Sequence, residues 1–288
     1  MYAPDFDYYR AASIAEASDL LKKHSGAKIL AGGHSLIPLL KLRLAAPPAL
    51  IDIGRIADLR GVSVKDGVVR IGALTTHTEL AASPDVRKHC PALGEAAAMI
   101  GDPTVRNRGT IGGNVAHADP ASDLPTVLAA LGARFVVTEG TATRSVGASD
   151  FFTGMMTTAL VEHALLTAIE VPVRSKDQGG AYVKFSHPAS RYAVIGVAAI
   201  VSASGGTCSA AVVAVGGLVP LPTRASTVEK ALVGQPLTAD AIANAASRVL
   251  SDLGDDSLGD IYASAEYRRA VAPVWVKRAL TAAVARLG

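Results

Sequence analysis

Two glycine-rich segments constrain this chain more than any other feature of its sequence. They read Ala31-Gly32-Gly33-His34-Ser35 and Thr110-Ile111-Gly112-Gly113-Asn114, eighty positions apart. Paired glycines can adopt positive φ and let the backbone pass close to a ligand, and the N–H groups of such turns bind phosphate oxygens. Two turns of this kind predict one long, charged cofactor that is held from two sides.

The first segment lies between a predicted short strand, residues 28–31, and a predicted short helix that begins at Leu36. Ser35 would cap this helix, so that a phosphate could lie at the helix N-terminus. An ordinary strand-to-helix turn would also explain the segment, because glycine is common wherever a chain turns tightly. On its own, the segment leaves both explanations open.

The second segment has charged residues on both sides. Arg106 and Arg108 precede it, and Asp123 lies near the start of a predicted helix over 121–130. A diphosphate suits glycine amides and hydroxyl groups, whereas the hydroxyls of a ribose or ribityl chain suit a carboxylate such as that of Asp123. The alternative for Asp123 is a negative charge that complements the positive end of its own helix.

Composition and charge exclude several classes of function. The chain has 288 residues, a net charge of +3 and scattered basic residues, so no nucleic-acid partner is predicted. The longest apolar run, 193–203, is too short to span a bilayer, and residues 1–10 lack the apolar core of a signal peptide. Only Cys90 and Cys208 occur, too few for an iron–sulfur cluster or a cysteine-ligated zinc site. They fit a reducing compartment, and we expect a cytoplasmic protein.

The order of the patterns along the chain predicts an α+β protein in three lobes. Residues 1–56 predict a compact α/β lobe, and residues 57–176 predict a middle lobe that starts with a hairpin at Lys65-Asp66-Gly67. Residues 177–288 predict three strands, the last two joined by Gly205-Gly206, and then helices. The best linker candidate is 175–180, and Pro273 should kink or split the last helix.

Common catalytic and nucleotide-binding motifs are missing from the sequence. Neither G-x-G-x-x-G nor G-x-x-x-x-G-K-[ST] occurs, and there is no H-E-x-x-H and no G-x-S-x-G. The seven histidines show no paired ligand spacing. We therefore predict no metal site and no catalytic residue in this chain.

The two glycine segments, at this spacing, resemble those of the FAD-binding medium subunit of molybdenum-containing hydroxylases. This family includes aerobic carbon monoxide dehydrogenase and the flavin domain of xanthine dehydrogenase. Further matching runs extend through most of the chain: RNRG at 106–109, SDLP at 122–125, FFTG at 151–154, LLTAI at 165–169 and SRYA at 190–193. The resemblance implies a vanillyl-alcohol-oxidase/PCMH-like FAD-binding fold, with a C-terminal three-stranded antiparallel sheet and helices.

The resemblance also implies which residues bind FAD. Residues on one side of the diphosphate would be Leu30, Ala31, Gly32, Gly33, His34, Ser35 and Leu36. Residues on its other side would be Thr110, Ile111, Gly112, Gly113 and Asn114. Asp123 would hold the sugar part, and Ile100 and Leu165 would lie near the flavin. Lys184 would lie near the flavin ring, with Arg191 and Tyr192 on the segment that faces it; an exposed strand lysine and an ordinary surface arginine are the alternatives for Lys184 and Arg191.

In the family scheme, the chemistry of such a subunit belongs to the flavin. A large partner hydroxylates substrate at a molybdenum cofactor, and a small partner with two [2Fe–2S] clusters relays electrons to FAD, which passes them to an external acceptor. The implied assembly is a dimer of heterotrimers. One alternative is a free-standing FAD-dependent oxidase or reductase, which would need acid–base groups beside the flavin. Another is a scaffold that has lost its flavin, against which the intact glycine segments argue.

Overall fold

A computed structural model describes residues 2–288; Met1, with which the predicted N-terminal lobe begins, lies outside them. The fold is α+β, as predicted. It contains a parallel three-stranded sheet, an antiparallel five-stranded sheet, an antiparallel four-stranded sheet and a two-stranded ribbon. The helices pack around these sheets and connect them.

The first sheet is built from a strand–helix repeat at the N-terminus. Its elements are β1 (Asp7–Arg10), α1 (Ile14–Lys23), β2 (Lys28–Leu30), α2 (Leu36–Lys41) and β3 (Ala49–Asp52). The strands run parallel in the order β1-β3-β2, because each crossover contains a helix that reverses the direction of the chain. The first glycine segment therefore begins where β2 ends, at the carboxyl edge of this sheet.

The middle part forms the five-stranded sheet and most of the short helices. Its strands are β4 (Val62–Lys65), β5 (Val68–Gly72), β6 (Arg134–Glu139), β7 (Ala142–Gly147), β8 (Phe152–Gly154), β9 (Thr157–Thr158) and β10 (Leu165–Pro172). Its helices are α3 (His77–Ala82), α4 (Pro84–His89), α5 (Pro91–Met99), α6 (Pro103–Arg106), α7 (Ile111–His117), α8 (Asp123–Ala130) and α9 (Ala148–Phe151). The sheet order is β4-β5-β10-β6-β7, and β8 pairs with β9. The predicted hairpin is confirmed, with Asp66 and Gly67 both at positive φ.

The C-terminal part forms the four-stranded sheet and three helices. Its elements are β11 (Gln178–Ser186), β12 (Ala193–Ser204), β13 (Thr207–Gly216), β14 (Thr223–Arg224), α10 (Ser226–Leu232), α11 (Ala239–Ala246) and α12 (Ala265–Val284). The three predicted strands are present, and the two-residue β14 adds a fourth beside β13. The turn at Gly205-Gly206 is confirmed, with φ of +58° and +79°.

Two local predictions for this part differ from the structure. The linker is shorter than 175–180, because β11 already begins at Gln178. Gly179 lies in this strand, and the carbonyl of Ala283 on α12 approaches its backbone too closely for any Cβ. Helix α12 is not split at Pro273, while a kink there stays a prediction. Its buried residues Ala272 and Val276 pack in the apolar cluster of the C-terminal sheet on both sides of the proline.

Three clusters of buried apolar side chains underlie the sheets. The cluster beneath the first sheet joins Ile51 to Leu74 and Leu165, so the first sheet packs directly on the middle part. In the cluster of the middle part, the rings of Phe135 and Phe151 lie 4.3 Å apart. The lobe boundaries at residues 56/57 and 176/177 stay predictions. Within residues 2–288, no helix combines the length and the apolar character that a membrane crossing requires.

The contact between Gly179 and α12 provides a test of this packing. Gly179→Ala would place a methyl group on the carbonyl oxygen of Ala283, a backbone atom that cannot rotate away. We expect the free energy of unfolding, measured by urea denaturation, to fall by about 1–3 kcal/mol. Gly94→Ala is the matched control, because a Cβ at that position of α5 would lie 3.5 Å from Val86, an ordinary contact. Equal stability of the two variants would contradict this account.

Candidate functional site

A cavity of about 1200 Å³ lies between the first sheet and the helices of the middle part, and both glycine segments line it. The segments also touch each other. A Cβ on Gly32 would overlap the carbonyl oxygen of Arg108, and a Cβ on Gly113 would lie 4.0 Å from the Cβ of Ala31. Two backbones can approach this closely only because Gly32 has no side chain, so the segments meet directly in the wall of one cavity.

The first segment presents a row of backbone N–H groups. Within residues 2–288, the amides of residues 32–36 have no protein acceptor, and all five residues line the cavity. Gly33 has a φ of +77°, which glycine adopts without strain. Successive amides in such a turn form a concavity that binds anions. The segment can therefore bind phosphate oxygens without losing an internal hydrogen bond.

Ser35 does not cap α2, contrary to the prediction. It occupies the N-cap position, but its backbone has helical dihedrals, φ −107° and ψ −49°. A capping side chain reaches the amides of the first turn from an extended backbone, which Ser35 lacks. Its hydroxyl forms no hydrogen bond with any of the described residues, 2–288, and Ser35 lines the cavity. This hydroxyl is therefore available to a ligand.

The second segment is the first turn of helix α7 and not an open turn. Thr110 is the N-cap, and its Oγ1 accepts a hydrogen bond from the Gly113 amide at 3.1 Å. The amides of Ile111, Gly112 and Asn114 donate to backbone carbonyls at 2.9–3.0 Å. The amides of residues 111–114, which we predicted to bind phosphate oxygens, are thus already satisfied by the protein.

The glycines of this segment allow close packing, since neither has a positive φ. A Cβ on Gly112 would lie 2.5 Å from the Cβ of Ala73, just after β5. The segment contributes side chains to the cavity: Asn114 donates through Nδ2 to Ser122 Oγ at 3.2 Å, while its buried Oδ1 has no partner among residues 2–288. An unpaired buried oxygen costs about 1–3 kcal/mol, so a hydrogen-bond donor on a ligand would stabilise this point.

A buried polar cluster lies behind the cavity wall at the start of α8. Asp123 is 4% exposed and lines the cavity. Its Oδ2 accepts a hydrogen bond from Lys184 Nζ at 2.8 Å, and its Oδ1 accepts one from the Tyr182 hydroxyl at 2.6 Å. Lys184 Nζ also donates to the carbonyl of Met99 at 3.2 Å. Buried charges persist when they are paired and hydrogen-bonded in this way.

Lys184 does not line the cavity, although the resemblance placed it near the flavin ring. Its side chain is 1% exposed, so the exposed strand lysine that we considered as its alternative is wrong, while its position near the flavin ring stays a prediction. Residues 182 and 184 project from the same face of β11 because side chains alternate along a strand. Both therefore reach Asp123, and Lys184 holds this carboxylate from behind the wall.

The pKa values in the cluster follow from burial and from these contacts. Burial raises the pKa of Asp123, while the charge and hydrogen bond of Lys184 and the hydrogen bond of Tyr182 oppose the rise. Burial and the negative charge of Asp123 raise the pKa of Tyr182 well above its ordinary value. Tyr182 thus keeps its proton and serves as a donor, and Lys184 supplies the positive charge that balances Asp123.

Most of the predicted site residues line the cavity. These are Ala31, Gly32, Gly33, His34, Ser35, Leu36, Ile100, Thr110, Gly112, Gly113, Asn114, Asp123, Leu165 and Tyr192, together with Arg191. Three predicted residues do not line it: Leu30 lies in β2, Ile111 is fully buried in the core of the middle part, and Lys184 pairs with Asp123.

Sequence reasoning missed several parts of the wall. The first is formed by His77, Gly101 and Val105, and the second by most of the stretch 156–166, of which we predicted only Leu165. Further unpredicted parts include residues 26–29 and 45–48. The one local signal near the first part is the capping box of Thr76 and Glu79, which marks the start of α3 just before His77. The FFTG run lies directly before the second part, but its pattern indicates no ligand contact.

Comparisons with known proteins give a consistent result. Residues 4–174 match the family described as the FAD binding domain in molybdopterin dehydrogenase, and residues 180–283 match the CO dehydrogenase flavoprotein C-terminal domain. The chain is 40% identical to the carbon monoxide dehydrogenase medium chain of Hydrogenophaga pseudoflava, covering 99% of both chains. It is also 40% identical to the glyceraldehyde dehydrogenase medium chain of Sulfolobus acidocaldarius, covering 97% of this chain and 98% of the other.

A solved structure is similar over the whole length. It is that of carbon monoxide dehydrogenase from Hydrogenophaga pseudoflava which lacks the Mo-pyranopterin moiety of the molybdenum cofactor. The matching chain has a TM-score of 0.96 and 42% sequence identity, and the match covers 100% of both chains. Sequence and fold therefore agree on one family.

A double-mutant cycle measures the coupling between Lys184 and Asp123. Lys184→Met leaves a buried carboxylate without its cation, and we expect the free energy of unfolding to fall by about 3–5 kcal/mol. Asp123→Asn in the same chain should recover much of this loss. The control, Lys65→Met on an exposed part of β4, should cost less than about 0.5 kcal/mol. Additive effects of the two buried substitutions would contradict the pairing.

The same variant has an expected pH dependence. Without Lys184 the pKa of Asp123 rises further above its ordinary value, so the folded state binds this proton more tightly than the unfolded chain. Stability is then greatest at low pH and is lost as the pH rises from about 4 through the folded-state pKa. Urea denaturation at several pH values should show that the free energy of unfolding falls more steeply with rising pH for Lys184→Met than for the wild type. Parallel pH dependences of the two proteins would contradict the role of Lys184 as the cation that balances Asp123.

Proposed function

The chain belongs to the FAD-binding medium subunits of the molybdenum hydroxylase family, and from this premise we propose that it carries FAD and transfers electrons within a complex of that kind. It receives electrons from the [2Fe–2S] clusters of a small partner subunit, which is reduced by a large molybdenum-cofactor subunit, and passes them to an external acceptor. The observation that carries the proposal is the row of amides at 32–36, because the diphosphate of FAD supplies the acceptors that these amides lack.

The cavity fits FAD in size and in chemistry. Its volume of about 1200 Å³ exceeds the range of about 300–1,000 Å³ that is usual for small-molecule sites and suits a dinucleotide. The amides of 32–36 and the Ser35 hydroxyl would bind diphosphate oxygens. Asp123 would accept hydrogen bonds from sugar hydroxyls. Each of its two oxygens accepts one hydrogen bond within the protein, and a carboxylate has about four lone-pair sites, so acceptor sites remain for a ligand.

Bound FAD would supply the redox chemistry, while the residues of this chain bind it, orient it and limit its contact with water. Tyr192 and Arg191 would help to limit the contact of FAD with water, since both line the cavity from the loop between β11 and β12. Burial and the charges of Asp119 and Asp123 raise the pKa of Tyr192, so its ring stays uncharged. No residue needs to act as a general acid or base in this role.

The proposed partners follow from the chemistry that the chain does not contain. Cys90 and Cys208 are buried and free, and two distant thiols cannot hold a [2Fe–2S] cluster, which takes four ligands. The relatives are named as medium chains and have nearly the same length as this chain. This supports separate small [2Fe–2S] and large molybdenum subunits, which we propose to assemble with this chain as a dimer of heterotrimers, and the free thiols support a cytoplasmic location.

We assign substrate selection to the large subunit. The two relatives at 40% identity are named for carbon monoxide and for glyceraldehyde. Medium chains equally similar to this one therefore serve complexes with different substrates, as expected when the medium chain handles electrons and does not bind the substrate.

Purification of the native assembly tests the function. We expect the chain to co-purify with a smaller iron–sulfur subunit and a larger molybdenum subunit, and to release one FAD per chain on denaturation. Substrate should reduce the flavin only when the small subunit is present. A chain that purifies alone with flavin and oxidises its own substrate would support the free-standing oxidoreductase instead, and an assembly without flavin would contradict the proposal.

Ser35→Ala tests the diphosphate contact apart from folding. The Ser35 hydroxyl has no hydrogen bond to residues 2–288, so its loss should leave the stability of the flavin-free protein unchanged. Loss of one hydrogen bond to an ionised ligand should weaken FAD binding about tenfold, as measured by quenching of flavin fluorescence. The control is Thr238→Ala, which removes the cap of α11 outside the cavity; it should lower stability by about 1 kcal/mol and leave the affinity unchanged. Equal affinity of Ser35→Ala and wild type would rule out this contact.

A further inference from the structure

His77 is a buried histidine in the cavity wall that none of the preceding functions uses. It is the first residue of α3, is 3% exposed and lines the cavity. Its ring lies against Gly109, where a Cβ would come within 2.9 Å of both Cδ2 and Nε2. Gly109 in turn lies against Gly32, since a Cβ on Gly32 would be 3.0 Å from the Gly109 Cα. Gly109 thus lies between the His77 ring and Gly32, the first of the residues with unpaired amides.

The ring has no hydrogen-bond partner within the described residues, 2–288. Its Nδ1 is buried and unpaired, and no protein acceptor or donor contacts Nε2. Asp123 and Lys184, by contrast, are buried and paired with each other, whereas the only other cavity-lining residue among the described residues with a buried, unpaired side-chain polar atom is Asn114. Leaving a buried polar group unpaired is costly, so an unpaired imidazole at a cavity wall points to a ligand as its partner.

The charges that face the ring are positive. The pKa of His77 is lowered to about 4, chiefly by burial and to a smaller extent by the proximity of His34 and Arg106. His34 lies in the first glycine segment, and Arg106 closes α6 with Nη1 donating to the carbonyls of Ile100 and Gly101 at 2.9 and 3.2 Å. Among the described residues, no carboxylate contributes to this environment, so these surroundings favour a neutral ring and attract an anion.

We propose that His77 is an anion-binding residue of this cavity, which hydrogen-bonds a diphosphate oxygen of FAD and takes up a proton from solvent when the diphosphate binds. The inference rests on the proposed function. An anion within hydrogen-bonding distance offsets the field of His34 and Arg106 and favours the charged form of the ring. The charged imidazolium then makes a stronger hydrogen bond than the neutral ring.

Proton uptake makes FAD binding depend on pH in a defined direction. In the free protein the pKa of the ring is about 4, and in the complex the adjacent diphosphate raises it. Between these two pKa values, binding takes up a proton, so the affinity for FAD increases as the pH falls. Above the pKa of the complex the affinity has no dependence on this residue's protonation. The dependence is at most tenfold per pH unit, because one proton is involved.

Calorimetry on the full chain, alone and with its co-purified partners, tests the proposal after the flavin has been removed. FAD is titrated between about pH 5 and 8 in buffers that differ in their ionisation enthalpy. The dependence of the measured binding enthalpy on the buffer then gives the number of protons taken up. We expect uptake by the wild type, and for His77→Gln we expect no uptake from this site, a flatter pH profile and an affinity lower by about 10- to 100-fold. Nitrogen NMR shifts of the histidine rings should show His77 neutral without FAD and protonated with it.

His24→Gln is the matched control. His24 also has a buried, unpaired ring nitrogen, but it does not line the cavity, so its substitution should leave the proton count unchanged. FAD binding without proton uptake, or a His77→Gln profile that matches the wild type, would overturn the inference and leave the proposed function intact. If His77→Gln does not fold, the proton count and ring shifts of the wild type decide. Failure of the wild type to bind FAD in either preparation would overturn the proposed function and this inference with it.

Discussion

The direct contact between the two glycine segments is the constraint on which the site depends. Gly32 lies against the Arg108–Gly109 peptide, Gly109 against the ring of His77, and Gly112 against Ala73 after β5. Each approach excludes a Cβ, so these glycines set how closely the first sheet approaches α7. Because packed interiors resist deformation, the same contacts also determine the shape of the cavity.

The two segments differ in what they offer a ligand. The first keeps five consecutive amides free of protein acceptors, whereas the second uses its amides to start α7 and to join α7 to the residues after β5. The first segment therefore supplies hydrogen-bond donors, and the second supplies a surface close to them with the side chain of Asn114. A phosphate-binding function belongs to the first segment, and the second keeps it in place.

The Lys184–Asp123 pair links the C-terminal sheet to the cavity. Lys184 comes from β11, Asp123 opens α8, and the carbonyl of Met99 at the end of α5 accepts the second hydrogen bond of Lys184. Breaking a buried pair by removing one partner is costly, so the orientation of the Asp123 carboxylate depends on β11. The C-terminal part thus influences the shape of the cavity, although its loop between β11 and β12, which includes Tyr192, lines only a small part of it.

Local signals in the sequence were sufficient for much of the fold. The Asp66-Gly67 hairpin, the Gly205-Gly206 turn and the strands β11 to β13 were predicted because neighbouring residues determine them. Both glycine segments were recognised, but the dihedrals of Ser35 and the hydrogen bonds of Gly112 depend on distant residues. By itself, the sequence determined the α+β class, the family and the segments that meet at the cavity. Only the tertiary structure decided which amides stay free, that Lys184 faces Asp123, and that His77 lies unpaired in the wall, because each depends on burial and on contacts between residues far apart in the chain.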